Sequence, residues 1–401
     1  MTDGSYFSRA FDGATERFSR PLVDSESSHP YSNALVWTCL KTIAASRQSR
    51  LIRNCRVFLN GDQMNPFSAK KIIRKACEFP SIETVDWTEL FGAGEFFIFV
   101  NNAALYSVDL LEISKKFMGD FADRFEPQGI SVEHHLIIGR YTQTPFGVHI
   151  DDATDRVFHF NLGPVTKSMI LWDSQHFAQR YSGDIARSAD HVSSIGSVTF
   201  DIAPQSAFFL PASYHHVGRS EKGISIVVAL AISRKSEQQL LRDASRELQE
   251  LLPPRYPQAS YCQNFEGDAG GTDEMFAAYD AIGLISALQH AQARRRSNKS
   301  FTEILPIQIA PLRNLHGVYA VRDGREPIAI KEADGLFLYS GGHRVILKKP
   351  ESIREFERIA CERRFEIYAR LGEYSEAVME VDAMKAWLVA TGAARALGEA
   401  T

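Results

Sequence analysis

Between residues 133 and 232 apolar residues come in short runs bounded by turn residues. EHHLIIGRY (133–141), DRVFHFNLG (155–163), SMILW (168–172), SVTFDI (197–202), AFFLP (207–211) and ISIVVALAI (224–232) are rich in β-branched and aromatic residues, which predicts strands. No helical run of 10–15 residues separates them, so this stretch reads as an all-β sandwich or barrel. Upstream, EFFIFV (95–100) reads as a buried strand. FSAKKIIRKACE (67–78) has helical periodicity, with Ser68 as its cap, and Ser107 opens a longer helix. In that helix Leu110, Ile113, Phe117 and Phe121 share one face. Residues 1–35 are polar and mixed.

After 235 the texture changes. Ser236 and Gln239 form a capping box that opens a helix, and Pro253-Pro254 ends it. A second helix spans about 272 to 296 and finishes in Arg294-Arg295-Arg296, where cations complement the helix dipole. GLFLYSGGHRVILKK (335–349) predicts a hairpin around Gly341-Gly342. Pro350 then starts a helix through ESIREFERIACERRFEIYARL, closed by Gly372. A hairpin against short helices suits a winged-helix-like unit. The expected layout is therefore α+β in four parts: an N-terminal polar and helical region (1–85), a β-barrel (86–235), a helical segment (236–298) and the winged-helix-like end (299–401).

Composition narrows the function. The chain has 401 residues, 44% hydrophobic and 23% charged, with a net charge of -4, so nothing draws it globally to nucleic acid or an anionic membrane. Residues 299–401 carry 15 basic and 15 acidic side chains, a poor clamp for DNA. The five cysteines are scattered, without a Cys-x-x-Cys pair, which speaks for a reducing compartment and against a thiolate zinc site. The start is polar, and no run approaches the ~20 apolar residues of a membrane span. A cytoplasmic protein with no nucleic-acid or membrane partner is the expectation.

The chemical signal is His149-Ile150-Asp151. In a strand, residues two apart face the same side, so imidazole and carboxylate stand together. With one distant His they make a 2-His-1-carboxylate triad, which leaves positions open on Fe(II). Pro211-Ala-Ser-Tyr-His215-His216 lies 65 residues past Asp151, where a later strand can fold back beside the first. Successive strand residues face opposite sides, so only one of His215 and His216 can point inward. His159 shares a face with Asn161 and could line the pocket, although a satisfied core histidine is the commoner outcome. The remaining histidines have no ligand-like partner at short spacing.

Four segments together resemble the Jumonji-C hydroxylases, and within them the ribosomal-oxygenase and cupin-like group. They are Tyr141-Thr-Gln-Thr-Pro145, His149-Ile-Asp151, Phe158-His-Phe-Asn-Leu-Gly163 leading to Lys167 and Trp172, and Pro211-Ala-Ser-Tyr-His-His216. The resemblance covers about a fifth of the chain closely. It implies a double-stranded β-helix (cupin or jelly-roll) barrel with flanking helices. It also implies Fe(II) held by His149, Asp151 and His216, the last favoured over His215 by its place five residues after Pro211. On the same resemblance Lys167 holds the distal carboxylate of 2-oxoglutarate, and Tyr141 adds a hydrogen bond. Asn161 faces the site as a further co-substrate residue. A solvated strand-end lysine is the alternative for Lys167. The distance from His149 to Lys167 exceeds the family pattern, implying a longer turn around Gly163-Pro164.

The implied activity is 2-oxoglutarate-dependent hydroxylation of an amino-acid side chain in a protein or peptide. A free amino acid or small metabolite is the alternative substrate, and a catalytically silent binding module is the alternative class. Residues 236–298 carry Leu241, Leu248, Leu252, Tyr279, Ile282 and Ile285 in amphipathic helices; the same resemblance implies a homodimer contact there, and packing of these helices on their own barrel is the alternative.

Overall fold

The computed structural model describes residues 20–25, 29–46, 54–118, 129–152, 155–181, 192, 194–251, 283–305, 315, 317–333, 335–367 and 375–397. The chain divides into two compact units, Met1–Arg234 and Lys235–Thr401.

In the first unit, β1 (Leu22–Asp24) and α1 (Asn33–Ala45) precede β2 (Cys55–Leu59), β3 (Asp62–Gln63), α2 (Pro66–Ala76) and α3 (Trp87–Phe91). Then come β4 (Phe96–Asn101), α4 (Val108–Met118), β5 (Ile130–Tyr141), β6 (Asp155–Pro164) and β7 (Lys167–Asp173). A short α5 (Ser174–Arg180), β8 (Ser197–Ile202), β9 (Ala207–Leu210) and β10 (Tyr214–Arg234) complete it. The strands pair in the order β1-β9-β6-β10-β5-β4-β2-β3, and β7 joins β10 to β8.

The long β10 makes this a barrel. Its first part, Tyr214–Arg219, pairs with β7, and its second, Ser225–Arg234, pairs with β5 and β6. The register shifts between Ser220 and Ser225, and Gly223 takes a φ of 149° within that bend. An L side chain rarely adopts such a backbone. The strand thus belongs to both layers and curls the sheet into a nearly closed antiparallel barrel. Alternate residues from β6, β7, β8, β9 and β10 fill its lumen: Val157, Met169, Leu171, Ile202, Phe208 and Ala229, among others. Burying each large aliphatic side chain there contributes roughly 1.5–3 kcal/mol.

Several local expectations change. Ser68 is not the cap of α2: Asn65 accepts the Ser68 N–H at 2.9 Å, and Pro66 occupies the first helical position. At α4, Ser107 Oγ accepts the Leu110 N–H at 3.2 Å as expected, while Phe121 lies outside the described residues. The turn around Gly163-Pro164 is short. Only Val165 and Thr166 separate β6 from β7, and Leu162 is absorbed as a bulge against Ile226 and Val227. Helix α5, which the strand pattern did not announce, is fixed by Phe177, whose ring packs on Trp172 and His215.

In the second unit, α6 (Glu237–Leu251) and α7 (Leu284–Ser297) pack through Ala244, Leu248 and Ala287, while Leu241 and Ile285 stay exposed. The Ser236–Gln239 capping box is reciprocal, at 2.8 and 3.3 Å. Pro253-Pro254, Leu252, Tyr279, Ile282 and the expected start of the second helix lie outside the described residues.

Then follow β11 (Gly317–Val321), β12 (Ile328–Glu332), β13 (Gly335–Ser340), β14 (His343–Leu347), α8 (Pro350–Glu362), β15 (Arg364–Ile367), α9 (Glu376–Ala390) and β16 (Ala394–Ala396). They make two three-stranded sheets, β15-β11-β16 and β12-β13-β14, the latter containing the Gly341-Gly342 hairpin. The helix from Pro350 does not run on toward Gly372, which is itself outside the described residues. It stops at Glu362 because Arg363 turns left-handed (φ 56°), held by Asp323 and Glu326 at 2.8 and 2.7 Å. β15 then buries Phe365 and Ile367 in the core of this unit. No described helix is long and apolar enough to cross a membrane.

Candidate metal and co-substrate site

The segment after β5 turns through Gly147 and meets β10 in an isolated bridge. His149 N–H donates to the His216 carbonyl at 3.1 Å, and His216 N–H to the His149 carbonyl at 2.7 Å. His149 and Asp151 therefore do not sit in a regular strand, as the spacing argument assumed; the reciprocal bridge takes the strand's place. It sets the two imidazoles with ring centroids 4.3 Å apart. Asp151 completes the cluster, with Oδ1 3.8 Å from His149 Nε2 and Oδ2 3.8 Å from His216 Nε2. The ligand-capable atoms all lie within 4.8 Å of one another.

The tautomers follow from the backbone. His149 Nδ1 lies 2.8 Å from the Gly147 carbonyl, and His216 Nδ1 3.3 Å from that of Tyr214. A carbonyl only accepts, so each Nδ1 carries the proton and each Nε2 presents its lone pair to the cluster. Burial pushes the His216 imidazole down to about 4, and nearby His149 adds to the effect, which keeps this ring neutral as metal binding requires. His215 points elsewhere. Its ring stacks on Phe177 at 3.9 Å.

Behind the cluster, Lys167 enters the lumen from β7. It is only 1% exposed, with no hydrogen bond or ion pair among the described residues. Burial alone lowers its ammonium to about 8. It is not a solvated strand-end lysine. A Cβ on Gly218 would lie 3.3 Å from Lys167 Cε and 3.1 Å from Thr144 Cγ2, so this glycine leaves space for both. Three buried hydroxyls stand nearby: that of Thr144 has no partner among the described residues, and those of Tyr141 and Ser225 have none but each other. The Tyr141 hydroxyl neighbours Ser225, and burial pushes its pKa up. Thr144 and Ser225 carried no sequence signal of their own, since a hydroxyl's lack of a partner is invisible in one dimension.

Asn161 is a correction. Both N–H groups of its amide donate within the protein, to Val165 (3.0 Å) and Ile202 (2.8 Å), and its Oδ1 accepts the Gly163 N–H at 3.0 Å. Its donors are used up in fixing the β6–β7 turn, and none remains for a co-substrate carboxylate. Arg140, another cation close to the metal pair in sequence, is bound to the carbonyls of Gly92 and Gly94. A cavity of about 440 Å³ lies beside these residues, lined by Phe58, Phe97, Tyr141, Gln143 and Phe146. The Phe146 ring reaches to 5.9 Å from that of His149.

No family model and no curated protein matches this chain. Among solved structures it is similar to Escherichia coli ycfD, at 13% identity and a TM-score of 0.48 over 98% of this chain and 97% of that one. A structure described as the Escherichia coli ribosomal oxygenase YcfD matches at 12% identity and 0.46, covering 94% of each chain. The same protein in complex with cobalt and 2-oxoglutarate matches at 13% and 0.44, again over 94% of each. It is the geometry of the site, and not this likeness, that supports the reading below.

Proposed function

We propose that this chain is an Fe(II)- and 2-oxoglutarate-dependent dioxygenase that hydroxylates an amino-acid side chain in a protein or peptide. One observation carries the reading. Two imidazole Nε2 atoms and a carboxylate converge on one point, with a buried ammonium, unpaired among the described residues, in the lumen behind them. His149, Asp151 and His216 would hold the metal, and two imidazoles with one carboxylate are a donor set that suits non-haem Fe(II). Fe(II), when bound, supplies the coupling of 2-oxoglutarate decarboxylation to insertion of one oxygen atom into a C–H bond.

The residues of the chain do the rest. His149 and His216 are oriented by their Nδ1 bonds, and Asp151 adds the negative charge. Lys167 offers the distal carboxylate of 2-oxoglutarate a desolvated cation, and the Tyr141 and Thr144 hydroxyls offer hydrogen bonds. Apolar side chains such as Met169, Leu171 and Phe208 line the lumen around these polar groups and limit their contact with water. The solved neighbours described as a ribosomal oxygenase with cobalt and 2-oxoglutarate agree with this reading, but at their similarity do not carry it. The test is to incubate the full chain with Fe(II), 2-oxoglutarate and a peptide library, measuring succinate and a mass gain of one oxygen. No succinate under any condition would leave a silent binding module.

A free amino acid or small metabolite is the second reading, since a cavity of about 440 Å³ opens beside the site at Tyr141 and Gly147, although its walls include neither the three candidate ligands nor Lys167. The second unit, read as winged-helix-like toward its end, supports the polypeptide instead by supplying surface that a closed pocket does not need. The exposed Leu241 and Ile285 support a dimer through 236–298; light scattering that gives a monomer mass would remove that contact.

A further inference from the structure

His159 sits on β6 and faces the barrel lumen. Val157, two residues earlier on the same face, packs there, as do its cross-strand partners Phe208 and Ala229. The imidazole lies 6.0 Å from the Phe208 ring at 23°. It is 6% exposed, and its Nδ1 is buried with no hydrogen-bond partner among the described residues. A buried polar atom left unpaired destabilises a fold, and phenylalanine or leucine would fill such a place without that cost. Lys167 shares the lumen, since Met169 and Leu171 line it from the same face of β7. Burial first, and then the charge of Lys167, hold the His159 pKa well below its usual value.

We propose that His159 and Lys167 together form the receptor for the distal carboxylate of 2-oxoglutarate, with His159 donating one hydrogen bond from Nδ1. This rests on the reading of the site as 2-oxoglutarate-dependent. The two groups do different things. An ammonium is a point charge that attracts any anion, whereas a ring N–H has a direction and fixes where the carboxylate ends. Kept neutral, His159 carries a single ring proton, and an acceptor beside Nδ1 selects the tautomer that places it there. The neutral ring adds a dipole without setting a second positive charge beside the first.

The full chain, loaded with Mn(II) so that it binds without turning over, is titrated with 2-oxoglutarate and with 2-oxopentanoate. The second acid keeps the keto-acid head and lacks the distal carboxylate. The reading is the ratio of the two dissociation constants. His159→Phe should weaken 2-oxoglutarate about tenfold to a hundredfold, while 2-oxopentanoate and Mn(II) bind as before. His159→Asn, whose amide N–H reaches a similar point, should restore most of the ratio. His159→Leu is judged by the same ratio should His159→Phe not fold. Equal losses for both acids, or an unchanged ratio, would overturn the assignment of His159 and leave the metal site standing. A wild-type protein that does not prefer 2-oxoglutarate over 2-oxopentanoate would overturn the co-substrate reading itself.

Discussion

Lys167 and Lys385 are both buried, one in each unit, and they are held in opposite ways. Lys385 Nζ donates to the Glu366 carbonyl at 3.2 Å and pairs with Glu355 at 2.8 Å. Lys167 is more deeply buried and has neither kind of partner among the described residues. The histidines repeat the contrast. His290 is bonded through one ring nitrogen to the Tyr339 hydroxyl and through the other to Glu332, while His159 Nδ1 has no partner among the described residues. In the second unit Arg294 and Arg344 also converge on Glu247. Most polar groups buried for the fold's own sake come with their counterparts, and in the second unit Trp387 Nε1 is an exception among the described residues. Among the described residues the lumen leaves the Lys167 ammonium, His159 Nδ1 and the Thr144 hydroxyl without such counterparts, which is what the proposed co-substrate site needs.

The comparison can be broken at its strongest point first. Asp151→Ala or His149→Ala should abolish both Fe(II) binding and succinate formation, followed by metal titration and by NMR of the product. Unchanged succinate in both variants would remove the site.

Next comes the pair of lysines. Lys167→Ala should weaken 2-oxoglutarate about tenfold to a hundredfold with metal affinity unchanged. For stability the order reverses. Lys167→Met removes an unrepaid desolvation and should leave the melting temperature unchanged or higher. Lys385→Met strips a partner from Glu355 and should destabilise the second unit by about 1–3 kcal/mol. Equal losses for the two methionine variants in urea unfolding would erase the distinction.

A smaller effect is expected from pH. Lys167 is lowered from 10.5 to about 8, so its charged form prevails below about 8 and is lost above it. Affinity for 2-oxoglutarate should fall as pH rises through that value, by up to about tenfold per pH unit. The dependence should vanish in Lys167→Ala. The sign for stability is opposite. Between about 8 and 10.5 the unfolded chain holds the proton that the folded one has released, so this group's contribution to stability rises with pH. Smallest of all, Thr144→Val should weaken 2-oxoglutarate roughly three- to tenfold, as loss of one hydrogen bond to a carboxylate oxygen does. An unchanged affinity would take Thr144 out of the site.

What the chain states locally is legible without its structure. The strands of the first unit declare themselves through β-branched and aromatic runs, the Ser236–Gln239 box through its spacing, and the β13–β14 hairpin through paired glycines, because each depends on neighbours a few residues away. The His-x-Asp pair stands out for the same reason, as a chemical pattern with short spacing. Other features depend on distant partners. Helix α8 ends where Asp323 and Glu326 hold Arg363, about 40 residues away. Asn161 belongs to the turn because the Ile202 carbonyl, 41 residues on, takes one of its donors. His149 faces His216 through a bridge to β10, not through strand pleating. Whether a buried lysine or histidine is answered or left open is a property of everything packed around it. Only the tertiary structure decides that, because hydrogen bonding and desolvation act through space, whereas periodicity and capping act along the chain.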